Sequence, residues 1–258
     1  MYINANISGF CSAEALSIDK IRYWLGKGYQ ASMKWMERVP EARGDPKSLL
    51  PEAQTVICVG FAYGNHGLLE DNNKKNNYNP LRARFARGEE YHKFVRQKLK
   101  LICEELKKDH PQAKFKICVD TSPIFEKALA ARAGLGWIGK NTLLINPKFG
   151  SYLVLGEIIT DIDFGHCEEQ KRRSNPDHLT GLLRYARNDN IGQCGDCRKC
   201  LKACPTGALV EPYVLDARRC LSYLTIEHKT EIPEEFKKFI KPGQYGCDIC
   251  QQVCPYNV

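Results

Sequence analysis

Apolar positions along this chain follow two alternating periods. The run Thr55–Tyr63 is apolar at nearly every step, which predicts a strand covered on both faces, and Phe115–Val119 is a shorter buried strand of the same kind. Asn141–Asn146 and Tyr152–Ile159 read as two further strands across a Pro-Lys-Phe-Gly turn. Between these runs the period is helical: Ala13–Lys27, Gly28–Arg38, the long amphipathic stretch Glu89–Lys108, and Pro123–Ala133, which starts with proline near its first turn. In the second of these, a Tyr29, Met33, Met36 face is expected to pack as core rather than to touch a cofactor. Gly134-Leu-Gly-Trp-Ile-Gly brings the backbone close to another segment. Helices alternating with strands predict an α/β fold.

Polar stretches divide the chain. Arg43-Gly-Asp-Pro-Lys precedes the first strand, and an Asn/Lys-rich loop, Asp71–Pro80, follows it. Asp163–Gln193 is polar and interrupts what should be a short connection, so it reads as an inserted mobile loop. Its five Lys/Arg cancel five Asp/Glu, the balance of a solvated surface segment, and His166, Cys167 and His178 within it are read as incidental. The expected units are therefore 1–163, the insertion 164–193, and 194–258.

Composition narrows the class. Of 258 residues, 43% are hydrophobic and 26% charged, as in a soluble globular protein. The longest apolar runs fall well short of the roughly 20 residues that span a bilayer, so no membrane association is expected. The start, Met1-Tyr-Ile-Asn-Ala-Asn-Ile-Ser, has neither the basic flank nor the apolar run of a secretory signal, and a cytoplasmic protein with reduced cysteines is expected. The formal charge of +8 is uneven: residues 194–258 carry 9 basic and 8 acidic groups, leaving +7 on the longer part. A polyanionic partner is permitted by this and would meet the first unit.

Cysteine spacing carries the sharpest chemistry. Five of the 13 cysteines (Cys11, Cys58, Cys103, Cys118, Cys167) are scattered, and eight crowd the last 65 residues. Cys58 and Cys118 lie in apolar runs and are expected as small core residues. The eight read Cys194-x2-Cys197-x2-Cys200-x3-Cys204-Pro205, then Cys220, then Cys247-x2-Cys250-x3-Cys254-Pro255. The first run is the ligand pattern of two-cluster ferredoxins, whose fourth cysteine serves the other cluster; the second run is the same with one ligand displaced upstream. The crossing rule assigns Cys194, Cys197, Cys200 and Cys254 to one 4Fe–4S cluster, and Cys204, Cys220, Cys247 and Cys250 to another. Disulfides would need an oxidising compartment, and structural zinc asks neither for the third cysteine nor for the trailing proline.

Val119-Asp120-Thr-Ser-Pro-Ile-Phe-Glu126 sets an acid at the end of a buried strand, just before a helix, where α/β proteins often place working residues. Two roles stand open for Asp120 from position alone, as a helix cap or as a proton donor.

These motifs together resemble the epoxyqueuosine reductases. The resemblance rests on Arg43-Gly-Asp-Pro with Leu49-Leu-Pro, Gly88-Glu-Glu-Tyr-His92, Val119-Asp-Thr-Ser-Pro, Lys127-x3-Ala-Arg-Ala-Gly-Leu-Gly-Trp-Ile-Gly-Lys-Asn141, Gly150-Ser-Tyr, the first cysteine run with Pro-Thr-Gly-Ala208, Asp216-Ala-Arg-Arg-Cys-Leu-Ser-Tyr-Leu-Thr-Ile-Glu227, and Tyr245-Gly-Cys-Asp-Ile-Cys-Gln251. It implies a nitroreductase-like α/β corrinoid-binding domain followed by a ferredoxin-like domain with two 4Fe–4S clusters. By the same resemblance the cofactors are two clusters and cobalamin, and the reaction removes the epoxide oxygen of epoxyqueuosine at the wobble position of tRNA. Asp120 then matches the family's proton donor, and Arg43, Asp120, Ser222, Cys247 and Asp248 match positions that contact the corrinoid. The implied partners are a tRNA anticodon stem-loop carrying epoxyqueuosine and an unidentified electron donor, with the protein a monomer. Two departures are the insertion before Cys194 and the end at Val258, where many members continue into further segments. The alternatives are a related corrinoid iron–sulfur reductase of a small molecule, an electron-carrying module, a truncated inactive relic, or an RNA-binding zinc protein.

Overall fold

A computed structural model describes residues 5–64, 79–88, 90–165 and 194–257. Most of the Asp71–Pro80 loop and of the 164–193 insertion lies outside the described residues, with His166, Cys167 and His178. The first unit runs β1 (Ile7–Ser12), α1 (Asp19–Gly26), α2 (Pro40–Gly44), β2 (Thr55–Ala62), α3 (Tyr91–Asp109), β3 (Phe115–Cys118), α4 (Glu126–Arg132), β4 (Trp137–Ile138), β5 (Leu144–Ile145) and β6 (Leu153–Thr160).

The apolar run of β2 is central because it has partners on both edges. The sheet order is β1-β2-β6-β3, with every pair antiparallel. The mixed helix-and-strand class read from the sequence stands, built here on an antiparallel sheet. Alternate residues of β2 feed two cores. Val56 and Cys58 pack with Leu129 and Ala130 of α4, while Ile57, Val59 and Phe61 pack with Val95 and Leu99 of α3. Cys58 and Cys118 are fully buried in the first core, as expected of small apolar residues. Helix α3 starts at a carboxylate cap: Glu90 accepts the amides of His92 and Lys93, both at 3.0 Å. Its buried stripe Val95, Leu99, Ile102, Cys103, Leu106 has helical spacing.

Several sequence expectations change. Ala13–Lys27 is helical only from Asp19, because the Ala13 amide still pairs with the Gln54 carbonyl at 2.9 Å and prolongs the β1–β2 ladder. Gly28–Arg38 holds just a single 3-10 turn, Lys34–Met36, since Gly28 and Ala31 take left-handed φ values of 67° and 54° and break the helix. Pro123–Ala133 becomes helical at Glu126; the Phe125 amide instead donates to the Arg43 carbonyl at 3.2 Å. Strands β5 and β6 are not a hairpin. Asn146 closes the Pro-Lys-Phe-Gly turn, with its side-chain oxygen accepting the Lys148 and Phe149 amides at 2.8 and 3.1 Å. Strand β5 turns back on β4 while β6 enters the large sheet. The glycine-rich segment makes its close approach here: a Cβ on Gly136 would stand 2.1 Å from the Ile145 carbonyl oxygen.

The second unit comprises α5 (Lys199–Ala203), β7 (Leu209–Glu211), β8 (Val214–Leu215), α6 (Leu221–Ile226), α7 (Glu234–Lys237) and α8 (Ile249–Gln252). Its own core of Ala217, Leu221, Tyr223, Leu224 and Phe236 takes in Trp24, Ala31 and Met33 of the first unit. Of the expected Tyr29, Met33, Met36 face, Met33 packs against this core, whereas Tyr29, with Arg218 over its ring, and Met36 are half-buried outside it. Hydrogen bonds stitch the seam: Trp24 Nε1 to the Leu215 carbonyl at 2.6 Å, Ser32 with the Tyr223 hydroxyl at 2.6 Å, and the Arg84 amide to Asp248 Oδ2 at 2.8 Å. Among the described residues no helix is long and apolar enough to cross a membrane.

Replacing Gly136 by alanine drives a methyl into backbone that has no rotamer to yield. The expected cost is about 1–3 kcal/mol, read as a lower denaturation midpoint with an unchanged slope.

Candidate functional site

Strand β3 ends at a residue in left-handed conformation: Asp120 has φ 48°. Such geometry is strained for most side chains but accessible to aspartate. The capping role is not adopted. Helix α4 has Phe125 at its N-cap and no side-chain cap bond, while Ser122 and Thr121 bond back to Val119. The Asp120 carboxylate, about half exposed, faces His92 instead, with Oδ2 at 2.9 Å from Nε2.

The other ring nitrogen of His92 meets Glu90 Oε1, so both nitrogens face carboxylates. Only an imidazolium donates on both sides. Desolvation works against that charge, but the bonds and charges of Asp120 and Glu90 outweigh it and raise the His92 pKa. The stability this pairing lends is therefore complete below the free imidazole value of 6.5 and is lost as pH rises through the raised folded value. Tyr91 stacks on His92 with centroids 4.0 Å apart. Glu126, partly buried at the start of α4, is pushed up to about 7 by desolvation first and then by the Asp120 charge. The family motif contained His92, but neither its pairing with Asp120 nor the burial and raised pKa of Glu126 was visible. Twenty-eight residues separate His92 from Asp120, and no local pattern links them.

Arg43 lies close to this turn through its carbonyl, which accepts the Phe125 amide. Its Nη2 donates to the Trp35 carbonyl at 2.8 Å, while its buried Nε has no partner among the described residues. An orphaned, desolvated guanidinium donor suits a polar ligand group.

The eight clustered cysteines, and the four scattered ones within the described residues, are free thiols. Their mutual charges divide the eight into two groups. Cys200 and Cys254 each feel Cys194 and Cys197, whereas Cys247 feels Cys220 and Cys204, and Cys250 feels Cys247, Cys220 and Cys204. Cys250 also feels Cys200, so the groups are neighbours. A cavity of about 210 Å³ is lined by Cys194, Cys197, Cys200 and Cys254, closed by Lys140 and Tyr256. Backbone amides aim at the sulfurs: those of Thr206, Ala208 and Leu209 at Cys204, and those of Ser222 and Tyr223 at Cys220. Amide-to-sulfur bonding of this kind stabilises iron–sulfur centres. Among the described residues no three His, Cys, Asp or Glu side chains converge as ligands of a single ion would. Thiolates around a cubane each take a different iron and stand further apart.

Ser222 is half-buried on α6 beside Cys220, and Cys247 is half-buried in the second thiol group. Asp248 is buried, and its Oδ2 is committed to the Arg84 amide across the seam. From Tyr245, two residues before Cys247, ring contacts run through Phe85 and Tyr91 to His92, at centroid separations of 6.4, 6.2 and 4.0 Å. Tyr245, two residues before Cys247, and His92, the partner of Asp120, thus lie at the two ends of one aromatic path.

Two family models match: "Epoxyqueuosine reductase QueG, DUF1730" over residues 43–121, and "4Fe-4S double cluster binding domain" over residues 193–257. The chain is 38% identical to the epoxyqueuosine reductase of Escherichia coli over 92% of its own length and 58% of that protein. It is 37% identical to that of Gloeobacter violaceus over 97% of its length and 71% of that protein. A crystal structure of epoxyqueuosine reductase with a tRNA-Tyr epoxyqueuosine-modified stem loop superposes with a TM-score of 0.79 at 35% identity, over 99% of this chain and 62% of that one. The chain therefore spans less than two thirds of the length of several relatives.

Replacing Asp120 by asparagine removes one of the two carboxylates that hold the His92 proton. The His92 pKa, followed by imidazole NMR, is expected to fall, and an unchanged value would break the pairing.

Proposed function

Since the chain belongs to the epoxyqueuosine reductase family, we propose that it reduces epoxyqueuosine to queuosine at the wobble position of tRNA, with electrons supplied through two 4Fe–4S clusters. The units are 1–163, a nitroreductase-like corrinoid-binding domain, and 194–258, a ferredoxin-like domain, with 164–193 between them. Cys194, Cys197, Cys200 and Cys254 would hold one cluster, and Cys204, Cys220, Cys247 and Cys250 the other; their grouping by mutual charge supports this division.

Removing an epoxide oxygen takes two electrons and protons. A bound corrinoid would supply the one-electron redox chemistry that neither the side chains nor the clusters alone offer to an epoxide. Arg43, Ser222, Cys247 and Asp248 would hold it, and the orphaned Nε of Arg43 is the observation that fits such a guest. Asp248 would contribute only what its bond to the Arg84 amide leaves free.

The chain's own groups handle the proton. Asp120 is the proton donor to the departing oxygen, and His92 recharges it across the 2.9 Å contact, with Glu90 keeping the imidazole charged and oriented. The observation that carries this reading is the aromatic path that ends at Cys247's neighbour on one side and at the Asp120 partner on the other. The +8 charge suits the phosphates of an anticodon stem-loop, and binding then weakens with salt. An electron donor yet to be identified reduces the clusters, and the enzyme acts as a cytoplasmic monomer.

The test is anaerobic incubation of the reconstituted chain with epoxyqueuosine-containing tRNA, scored by nucleoside mass. Queuosine is expected, with about eight irons and one cobalamin bound. Asp120→Asn is expected to abolish turnover with both cofactors retained. Iron without corrinoid uptake would leave only an electron-carrying module, and four irons or fewer would sink the two-cluster assignment.

A further inference from the structure

The seam holds one cation whose partners are unusual. Lys140 sits in the tight turn between β4 and β5 and is 8% exposed. Its Nζ donates to the Gly195 carbonyl and, at 3.1 Å, to that of Cys197, so a first-unit ammonium grips the loop bearing the first two cysteines. Its own carbonyl accepts the Tyr213 amide at 3.1 Å, which fixes the backbone from which it reaches. No carboxylate pairs with it among the described residues. The same side chain lines the cavity bounded by Cys194, Cys197, Cys200 and Cys254.

A buried ammonium satisfied only by carbonyls remains an uncompensated charge, an arrangement proteins seldom keep without a counter-ion. A cubane with four thiolates is net negative in both redox states, and more so when reduced. We propose that Lys140 is the positioning and counter-charge residue of the Cys194, Cys197, Cys200, Cys254 cluster, tying its loop to the first unit and holding its reduction potential up. This rests on the two-cluster reading above. Because the ammonium attracts the reduced state more strongly than the oxidised one, its loss lowers the potential of that cluster alone. Lys199 lines the cavity too, but it is exposed, where water screens its charge.

The test is a redox titration of the reconstituted full chain, followed by electron paramagnetic resonance and iron analysis, in Lys140→Gln and Lys140→Arg. For Lys140→Gln one of two waves is expected to move down, with the reduced-to-oxidised ratio at fixed potential falling roughly tenfold, ~59 mV for a one-electron couple. The other wave stays in place, and Lys140→Arg restores the first. If Lys140→Gln instead sheds about half its iron while Lys140→Arg keeps all of it, the loop-tying role is supported. Two unmoved waves with full iron, a common shift of both, loss of both clusters, or an arginine variant no better than glutamine would overturn the assignment. No substrate is needed. A wild-type chain that binds four irons or fewer would fail the two-cluster reading itself, before Lys140 is at issue.

Discussion

Residues 194–257 fully bury eight hydrophobic side chains of their own, five of them in one cluster, a small core for a segment of that size. The shortfall is met from outside the segment. Trp24, Ala31 and Met33 complete the apolar cluster, and paired polar groups across the seam complete its hydrogen bonds. The cysteine-rich unit is therefore shaped by its docking on the sheet unit, and metal binding would add the remaining stability. Because both thiol groups sit at this docked surface, the dependence that stabilises the second unit also decides where electrons would emerge.

The same seam links two kinds of chemistry. Gly246 has φ 77°, and a Cβ there would stand 2.6 Å from the Ala83 Cβ, so only glycine lets the Cys247 loop close on Ala83 and Phe85. Phe85 then touches Tyr91 at the start of α3, whose next residue is His92. One capping carboxylate, Glu90, serves both the helix and the imidazole. The acid site is thus assembled from a helix start, a strand end and a loop that the cysteine unit holds in place.

Much was legible beforehand. The strands around Val56–Phe61 and Val154–Ile159, the amphipathic α3 and the cysteine ligand pattern all follow from period and spacing, which are local properties of the chain. Strand β1 was missed because Ile7-Ser-Gly-Phe-Cys-Ser lacks a strong apolar run; it forms because β2 offers it an edge. The helix expected over Gly28–Arg38 failed because Gly28 and Ala31 take left-handed φ, which the apolar period does not reveal.

For the candidate site the division is similar. Sequence by itself determined the α/β character, the cysteine spacing of a double-cluster domain and an acid after β3, since each is encoded in nearby residues and their spacing. Only the tertiary structure decided that Asp120 pairs with His92 rather than capping α4, that Arg43 keeps an unpartnered buried donor, and that Lys140 reaches the Cys197 loop. Those contacts join residues 28 to 57 positions apart or depend on which donors burial leaves unsatisfied, and neither property is carried by any local pattern.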